Sequence, residues 1–476
     1  MNKYKTLAIN TIIFAIGGFG SKILLFFLTR LYSANIGPAD SSTRELLEIM
    51  TNFLIPIFTF SLSEAIIRYG LDKKYDKRKV FSTSCVLVGL GYLLMLVIVP
   101  ILWFVPFLDF IKGYTVLLIL YVFASGFRSI CSQFVRARGL VKLFSVDGIL
   151  ATITLFILNV VFISVLDMGV KGYMLSVILS DFMSALFLYA VAGLNKFMKL
   201  KYYSPRLAKS MMKFALPLIP TTIMWVITSL SDRLFIRYMH SDTVQLGAEA
   251  TGIYGYAAKI PNLIQMVSTI FFQAWNMSAI TENESADRSD FYEKVYSSYQ
   301  SIMFIASAFL VAGVQIITPI FVSSGTFSEY SNVYLYTPIL VVAVMYMCLN
   351  QFFGIIYTAT KHTKNSFWTS LIACVVNIIL NIILIPTIGI QGASIATFAS
   401  YFVCFCVRVV DARRFVPFRV NHGRTIINTA ILLALCYAVI NQPMYYPVYL
   451  VCGFLYVMVC NYRELTIMVK KLLRRG

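Results

Sequence analysis

Charged side chains are scarce in this sequence, and negative ones are scarcer. Lys, Arg, Asp and Glu make up 13% of 476 residues, with 21 acids against 40 bases, where a soluble domain carries about 25%. Histidine occurs three times, at His240, His362 and His422, scattered through connecting segments without the spacing of a ligand set. The nine cysteines all lie in apolar runs and none forms a Cys-x-x-Cys pair, so neither a zinc site nor a disulfide framework is indicated. A Gly-x-x-x-x-Gly-Lys-Ser/Thr loop is missing, which argues against direct use of a nucleotide. No stretch between apolar runs is long enough for an appended soluble catalytic domain. The chain is therefore expected to hold no metal and no organic cofactor and not to be an enzyme; coupling to Na+ or H+ stays open.

What is abundant is apolar surface. Hydrophobic residues are 59% of the chain and the mean hydropathy is +0.78, more than a water-soluble fold can bury. A helix needs about 20 mainly apolar residues to cross a bilayer. Stretches of that kind lie near 7–31, 43–67, 80–104, 114–136, 143–166, 170–192, 213–239, 250–276, 295–322, 334–360, 366–387, 391–410, 425–441 and 445–462. The fold class that follows is all-α, a polytopic membrane protein with about 14 transmembrane helices. The N-terminus, basic at Lys3 and Lys5, reads as a retained first span rather than a cleaved signal.

The basic residues orient these spans. Of the 40 Lys and Arg, 31 fall in alternate connections and the tails, while the opposite connections hold three, Arg44, Lys112 and Lys171. Cytoplasmic loops carry the excess of Lys and Arg, so both termini are expected in the cytoplasm. The net charge of +19 then needs no nucleic acid to explain it. The run Lys73-Lys74-Tyr75-Asp76-Lys77-Arg78-Lys79 and the segment 193–212, with Lys196, Lys199, Lys201 and Arg206, are expected to lie on anionic membrane lipids.

A duplication sets the domain plan. Gly169 and Gly172 recur as Gly389 and Gly392, an offset of 220 residues, each pair in a very short turn between two spans. The segment from Gln133 to Gly139 with Phe144 resembles that from Gln351 to Lys361 with Phe367 in placement. The offset covers six spans, an even number, so the second copy keeps the orientation of the first. The expected architecture is two six-helix lobes related by a pseudo-two-fold along the membrane normal, a known transporter arrangement, plus two accessory C-terminal helices. The N-lobe is 1–192, an amphipathic cytoplasmic linker 193–212, the C-lobe 213–410, and the accessory spans with a basic tail 411–476.

Six cations fall inside proposed spans: Lys22, Arg30, Arg128, Arg233, Arg237 and Lys259. A charge at the centre of a bilayer costs at least about 2.5–3.5 kcal/mol, so such residues normally face a cavity or a partner. Buried acids are expected at Glu64, Asp147, Asp181 and Asp232. Asp181, Asp232 and Glu64 are candidates for ion coupling or for charge pairing with the six, while Arg30 and Arg237 have the alternative of snorkelling outward. The positive excess points to an anionic substrate, and arginine suits phosphate through its fork of donors. Pro217, Pro220 and Pro261 are candidate hinges, or prolines merely tolerated in membrane helices.

At these positions the chain resembles the polysaccharide-transporter family of the multidrug/oligosaccharidyl-lipid/polysaccharide flippase superfamily. The resemblance is carried by Phe214-Ala215-Leu216-Pro217-Leu218-Ile219-Pro220, by Ser229 to Ile236, by Gly252 to Pro261, by Phe272 to Trp275, and by the opening Gly17 to Arg30. It implies flipping of an undecaprenyl-pyrophosphate-linked oligosaccharide from the cytoplasmic to the outer leaflet of a bacterial plasma membrane. It also implies alternating access through a cationic central cavity, by a protein expected to act as a monomer. Fourteen spans is similar to the lipid II flippases, and Lys22 matches a cavity-lining basic position of their first helix. The basic–acidic pair those flippases carry later in that helix is replaced here by Phe26, Phe27 and Leu28, which favours another glycan. An ion-coupled multidrug exporter of the same superfamily is the second reading; it expects twelve spans and an acid-dominated cavity. A membrane glycosyltransferase would need catalytic acids grouped at an outer loop, and Asp109, Asp167, Asp242, Glu249 and Glu329 are dispersed singly.

Overall fold

The computed structural model describes residues 24, 26–72, 74–269, 271–272, 288–360 and 362–474. Every regular element among them is helical. Nine helices are long and apolar enough to cross a membrane among these residues, or ten if a bent pair counts as one span. The chain is a multi-pass membrane protein.

It divides into two compact units, Met1–Leu230 and Ser231–Gly476. In the first unit, residues 26–35 are helical and precede α1 (Pro38–Phe58), α2 (Leu62–Leu71), α3 (Lys77–Ile101) and α4 (Thr115–Ala137). Then come α5 (Val141–Asn159, widening to a π-helix over Val160–Val165), α6 (Gly169–Val191) and α7 (Pro205–Ala215). The helix α8 (Leu218–Tyr238) crosses the boundary. The division thus falls later in the chain than the 193–212 linker, which packs with the first unit: α7 lies against α2 and α3.

In the second unit follow α9 (Ala248–Ala257), α10 (Arg288–Ala312), α11 (Val314–Phe321), α12 (Val333–Ala359), α13 (Thr363–Ile388), α14 (Ile390–Ala412), α15 (His422–Asn441) and α16 (Tyr446–Arg474). Starts and stops follow local chemistry. Pro38 opens α1 at its first position, where its missing N–H costs nothing. The Asp76 and Asn421 side chains cap α3 and α15 by accepting from the N–H groups of Arg78 and Arg424.

The two units repeat the same local design. In the first, α4 packs on α6 and α5 on α6; in the second, α12 packs on α14 and α13 on α14. Gly169 and Gly389 both take positive φ, +51° and +62°, at the turn into the later helix of each hairpin. Three residues on, a Cβ at Gly172 would sit 2.9 Å from the Phe162 carbonyl oxygen, and one at Gly392 2.5 Å from that of Leu384. The glycine motif therefore does the same two jobs in each copy, turning the chain and letting the next helix close onto the end of the last.

Several expectations change at this level. The second expected span is two helices, α1 and α2, bent by 51° around Phe60 and Ser61, both at positive φ. Arg44, expected in an outer connection, is a buried residue of α1. Arg408, expected in an inner connection, is buried in α14. Both helices run past the point where an arginine ends a hydropathy window. Glu64, expected buried, is exposed in the first turn of α2. Pro217 lies in the turn between α7 and α8 and Pro220 in the first turn of α8, where proline removes no helical hydrogen bond; they separate two helices rather than bend one. Pro261 stands in the turn that interrupts the eighth span between α9 and the helical residues 262–269.

Candidate functional site

In the second unit α8 carries Asp232, 4% exposed, into a ring of neutral donors. Asn377 and Asn381, one turn apart on α13, each donate a side-chain amide N–H to its Oδ1, at 3.1 and 2.6 Å. Thr397 of α14 and Tyr254 of α9 donate their hydroxyls to Oδ2, both at 2.9 Å. Ser231 donates to the Asn377 carbonyl oxygen at 3.3 Å. Among the described residues no basic group lies within 4 Å of this carboxylate. Buried charge without a counter-charge is costly and survives only when fully hydrogen-bonded, which these four donors accomplish.

One atom in the ring is left over. The Asn381 side-chain carbonyl oxygen is buried and finds no donor among the described residues. A carboxylate, an amide oxygen and two hydroxyl oxygens drawn from four helices make an all-oxygen set of the kind hard cations take. Among the described residues no group of three or more His, Cys, Asp or Glu could hold a metal ion.

Asp232 is tied to its basic neighbour through Tyr254. The tyrosine hydroxyl holds the carboxylate, and the Arg233 guanidinium lies over the same ring, 5.6 Å from its centroid. Arg237 follows one turn later, so the two arginines share a face of α8; both are half-buried. Lys259 is half-buried in the turn after α9. Each of Arg233, Arg237 and Lys259 has interactions of its own.

In the first unit, Arg128 of α4 is not a surplus cation. Its guanidinium meets Asp181 of α6 at 2.7 Å and Asp147 of α5 at 3.7 Å. Ser125 donates to Asp181 and Ser184 to Asp147. Two buried carboxylates thus share one guanidinium, and with all three groups ionised the cluster carries a formal charge of −1. Arg30 is exposed in the middle of its helical stretch, residues 26–35, and is not without interactions. Lys22 lies outside the described residues.

Two arginines that hydropathy placed outside the spans form buried polar centres. Arg44 packs against the touching rings of Tyr32 and Tyr173, 4.7 and 5.0 Å from their centroids, and meets Glu48 at 3.5 Å. Arg408 donates to Thr369 Oγ1, the Asn350 carbonyl and Ser370 Oγ at 2.9, 2.7 and 2.9 Å. These neutral acceptors tie α14 to α12 and α13 and make of Arg408 a helix clamp. Asn377 and Asn381 give no signal by charge; their four-residue spacing in an otherwise apolar helix is the one cue the sequence offers.

No family profile matches the chain, and no curated protein matches it significantly. Solved structures do. The chain is similar to the lipid II flippase MurJ in an inward closed conformation, at 15% identity and TM-score 0.71, over 97% of this chain and 100% of that one. It is similar to an inward-facing multidrug resistance MATE family transporter of the MOP superfamily, at 15% identity and TM-score 0.66, over 82% and 94% of the two chains. A Vibrio cholerae MATE transporter, the VcmN D35N mutant, matches at 10% identity and TM-score 0.59, over 87% and 99%. At these identities the likeness is one of fold.

Proposed function

We propose that this protein is a transporter that flips an undecaprenyl-pyrophosphate-linked oligosaccharide from the cytoplasmic to the outer leaflet of a bacterial plasma membrane, by alternating access and with both termini in the cytoplasm. The observation that carries the reading is length of likeness. The match to the lipid II flippase extends over 97% of the chain, whereas those to the two MATE transporters extend over 82% and 87%. The C-terminal helices α15 and α16, beyond the duplicated spans, fit a flippase of fourteen spans better than an exporter of twelve.

Energetics favour the same direction. Moving negative charge outward against an inside-negative potential is downhill by about 2.3 kcal/mol per charge per 100 mV, so a pyrophosphate head gains from export. Lys22, Arg233, Arg237 and Lys259 are the residues proposed to replace water around the phosphates, with Arg30 at the outer interface. Arg128 supports the first unit through its two carboxylates and is assigned no direct contact with substrate.

Asp232 is the proposed coupling site. When a monovalent cation or proton neutralises its carboxylate, the Tyr254 hydroxyl loses its charged acceptor, and the ring under Arg233 is free to move. Ion occupancy is thereby transmitted to a cation proposed to hold substrate. The same coupling would serve the alternative, an ion-coupled multidrug exporter, which the likeness to the MATE transporters supports.

Uptake of fluorescently labelled lipid-linked sugar into inverted vesicles, with and without the protein, separates the two. Uptake of the lipid-linked sugar, with loss on Arg233→Ala, supports the flippase. Transport of cationic drugs in the absence of lipid-linked sugar uptake overturns it in favour of the exporter.

A further inference from the structure

Away from the candidate site, the basic end of the first unit contains a pocket of about 360 Å³. Lys74 comes from the connection into α3, Lys79 from the first turn of α3 and Arg206 from the first turn of α7; Asp76, Ser204 and Ser210 complete the polar wall. Three cations against one carboxylate leave a local charge of +2. That carboxylate is already engaged, since Asp76 Oδ1 accepts from the Arg78 N–H at 2.9 Å.

The walls are fixed rather than loose. The Lys199 N–H donates to Ser82 Oγ at 3.0 Å, the Ser204 N–H to Thr83 Oγ1 at 3.2 Å, and Tyr69 Oη to the Ser210 carbonyl at 3.0 Å. Leu207, Ala208, Met211 and Ala215 bury one face of α7. At its start Ser204 makes no side-chain cap, and Ser204, Arg206 and Leu207, at the positive end of this 11-residue helix, line the pocket. Anions are stabilised where a helix N-terminus and cations converge.

We propose that this pocket binds a phosphomonoester dianion. A net +2 matches a phosphate carrying two charges better than a phosphodiester carrying one, and the hydroxyl of Ser204 supplies a donor to its oxygens, whereas that of Ser210 is committed to the Arg206 carbonyl at 3.1 Å. The adjoining chain favours a lipid as the bearer of that phosphate. Met198, Leu200 and Tyr203 are exposed, Leu200 by 81%, and are interspersed with Lys199 and Lys201. Apolar side chains among lysines on a membrane protein belong at the boundary between headgroups and acyl chains. The binding is independent of what the transporter carries.

The test uses the full-length protein in detergent, with thermal melting followed against dioctanoyl phosphatidic acid, dioctanoyl phosphatidylglycerol and inorganic phosphate. Phosphatidic acid should raise the melting temperature with half-saturation at least about tenfold below that of phosphatidylglycerol. Its effect should strengthen as pH rises through about 6, where the second proton leaves. The variant Lys74→Gln/Lys79→Gln/Arg206→Gln, changed only at exposed side chains, should lose the effect. Arg413→Gln/Arg414→Gln/Arg419→Gln, with the same charge loss elsewhere, should keep it. A response to inorganic phosphate as strong as that to phosphatidic acid, lost in the first variant, supports the pocket and assigns it a soluble phosphate. No response to phosphatidic acid or to inorganic phosphate, or an equal loss in both variants, overturns the proposal.

Discussion

The acidic centres of the two units differ in what compensates them, and that difference decides how their substitutions should behave. Arg128 balances Asp147 and Asp181. Arg128→Met should therefore lower stability by about 3–5 kcal/mol, the cost of leaving buried charge without its partner, and adding Asp147→Asn and Asp181→Asn should restore most of it; melting in detergent checks both. Asp232 has only neutral donors. Asp232→Asn keeps the shape and removes the charge, so the fold should survive while transport falls at least about tenfold, or about 1.4 kcal/mol of driving interaction. Undiminished uptake into vesicles would dissociate Asp232 from coupling. Asp232, Arg233 and Arg128 are legible in the sequence because an ionised residue in an apolar run is conspicuous. Asn377, Asn381 and Thr397 are not, since neutral polar side chains barely disturb hydropathy. Arg44 and Arg408 mislead for the opposite reason: each looks like the end of a span, yet tyrosine rings and Glu48 in one case and hydroxyls and a carbonyl in the other let the helix carry the charge inward.

Helix positions are legible wherever apolar character is continuous. The fourth, sixth, tenth and twelfth expected spans, 114–136, 170–192, 334–360 and 391–410, lie within two residues of α4, α6, α12 and α14 at both ends. The bend between α1 and α2 is hidden, because the apolar pattern runs straight through it; the local cue is Pro56, whose carbonyl accepts from the Ser61 N–H at 2.8 Å. The bend is held by close packing. A Cβ on Gly91 of α3 would stand 1.8 Å from the Phe58 carbonyl oxygen, so Gly91→Ala should destabilise the first unit by about 1–3 kcal/mol, seen as a lower melting temperature. At the duplicated turns, Gly169→Ala and Gly389→Ala should each cost about 1–2 kcal/mol for a left-handed backbone with a side chain. Indifference at both would remove the conformational reason for the motif.

For the chain as a whole, composition and basic-residue placement point to an all-helical membrane protein, and its fold is similar to that of the solved flippase and MATE transporters. The phosphate pocket is half visible in the sequence. Its lysines and arginine stand out as basic runs, but residues 74–79 and 204–210 are far apart along the chain, and only the folding of α7 back onto α2 and α3 assembles them. The matching glycine turns have a consequence for origin. A half-length ancestor carrying one such glycine hairpin would, on joining two copies end to end, place the same turn and the same close helix contact in each half. Gene doubling alone could deliver one such turn to each half, leaving later substitution to make one half hold Arg128 between acids and the other hold Asp232 among amides.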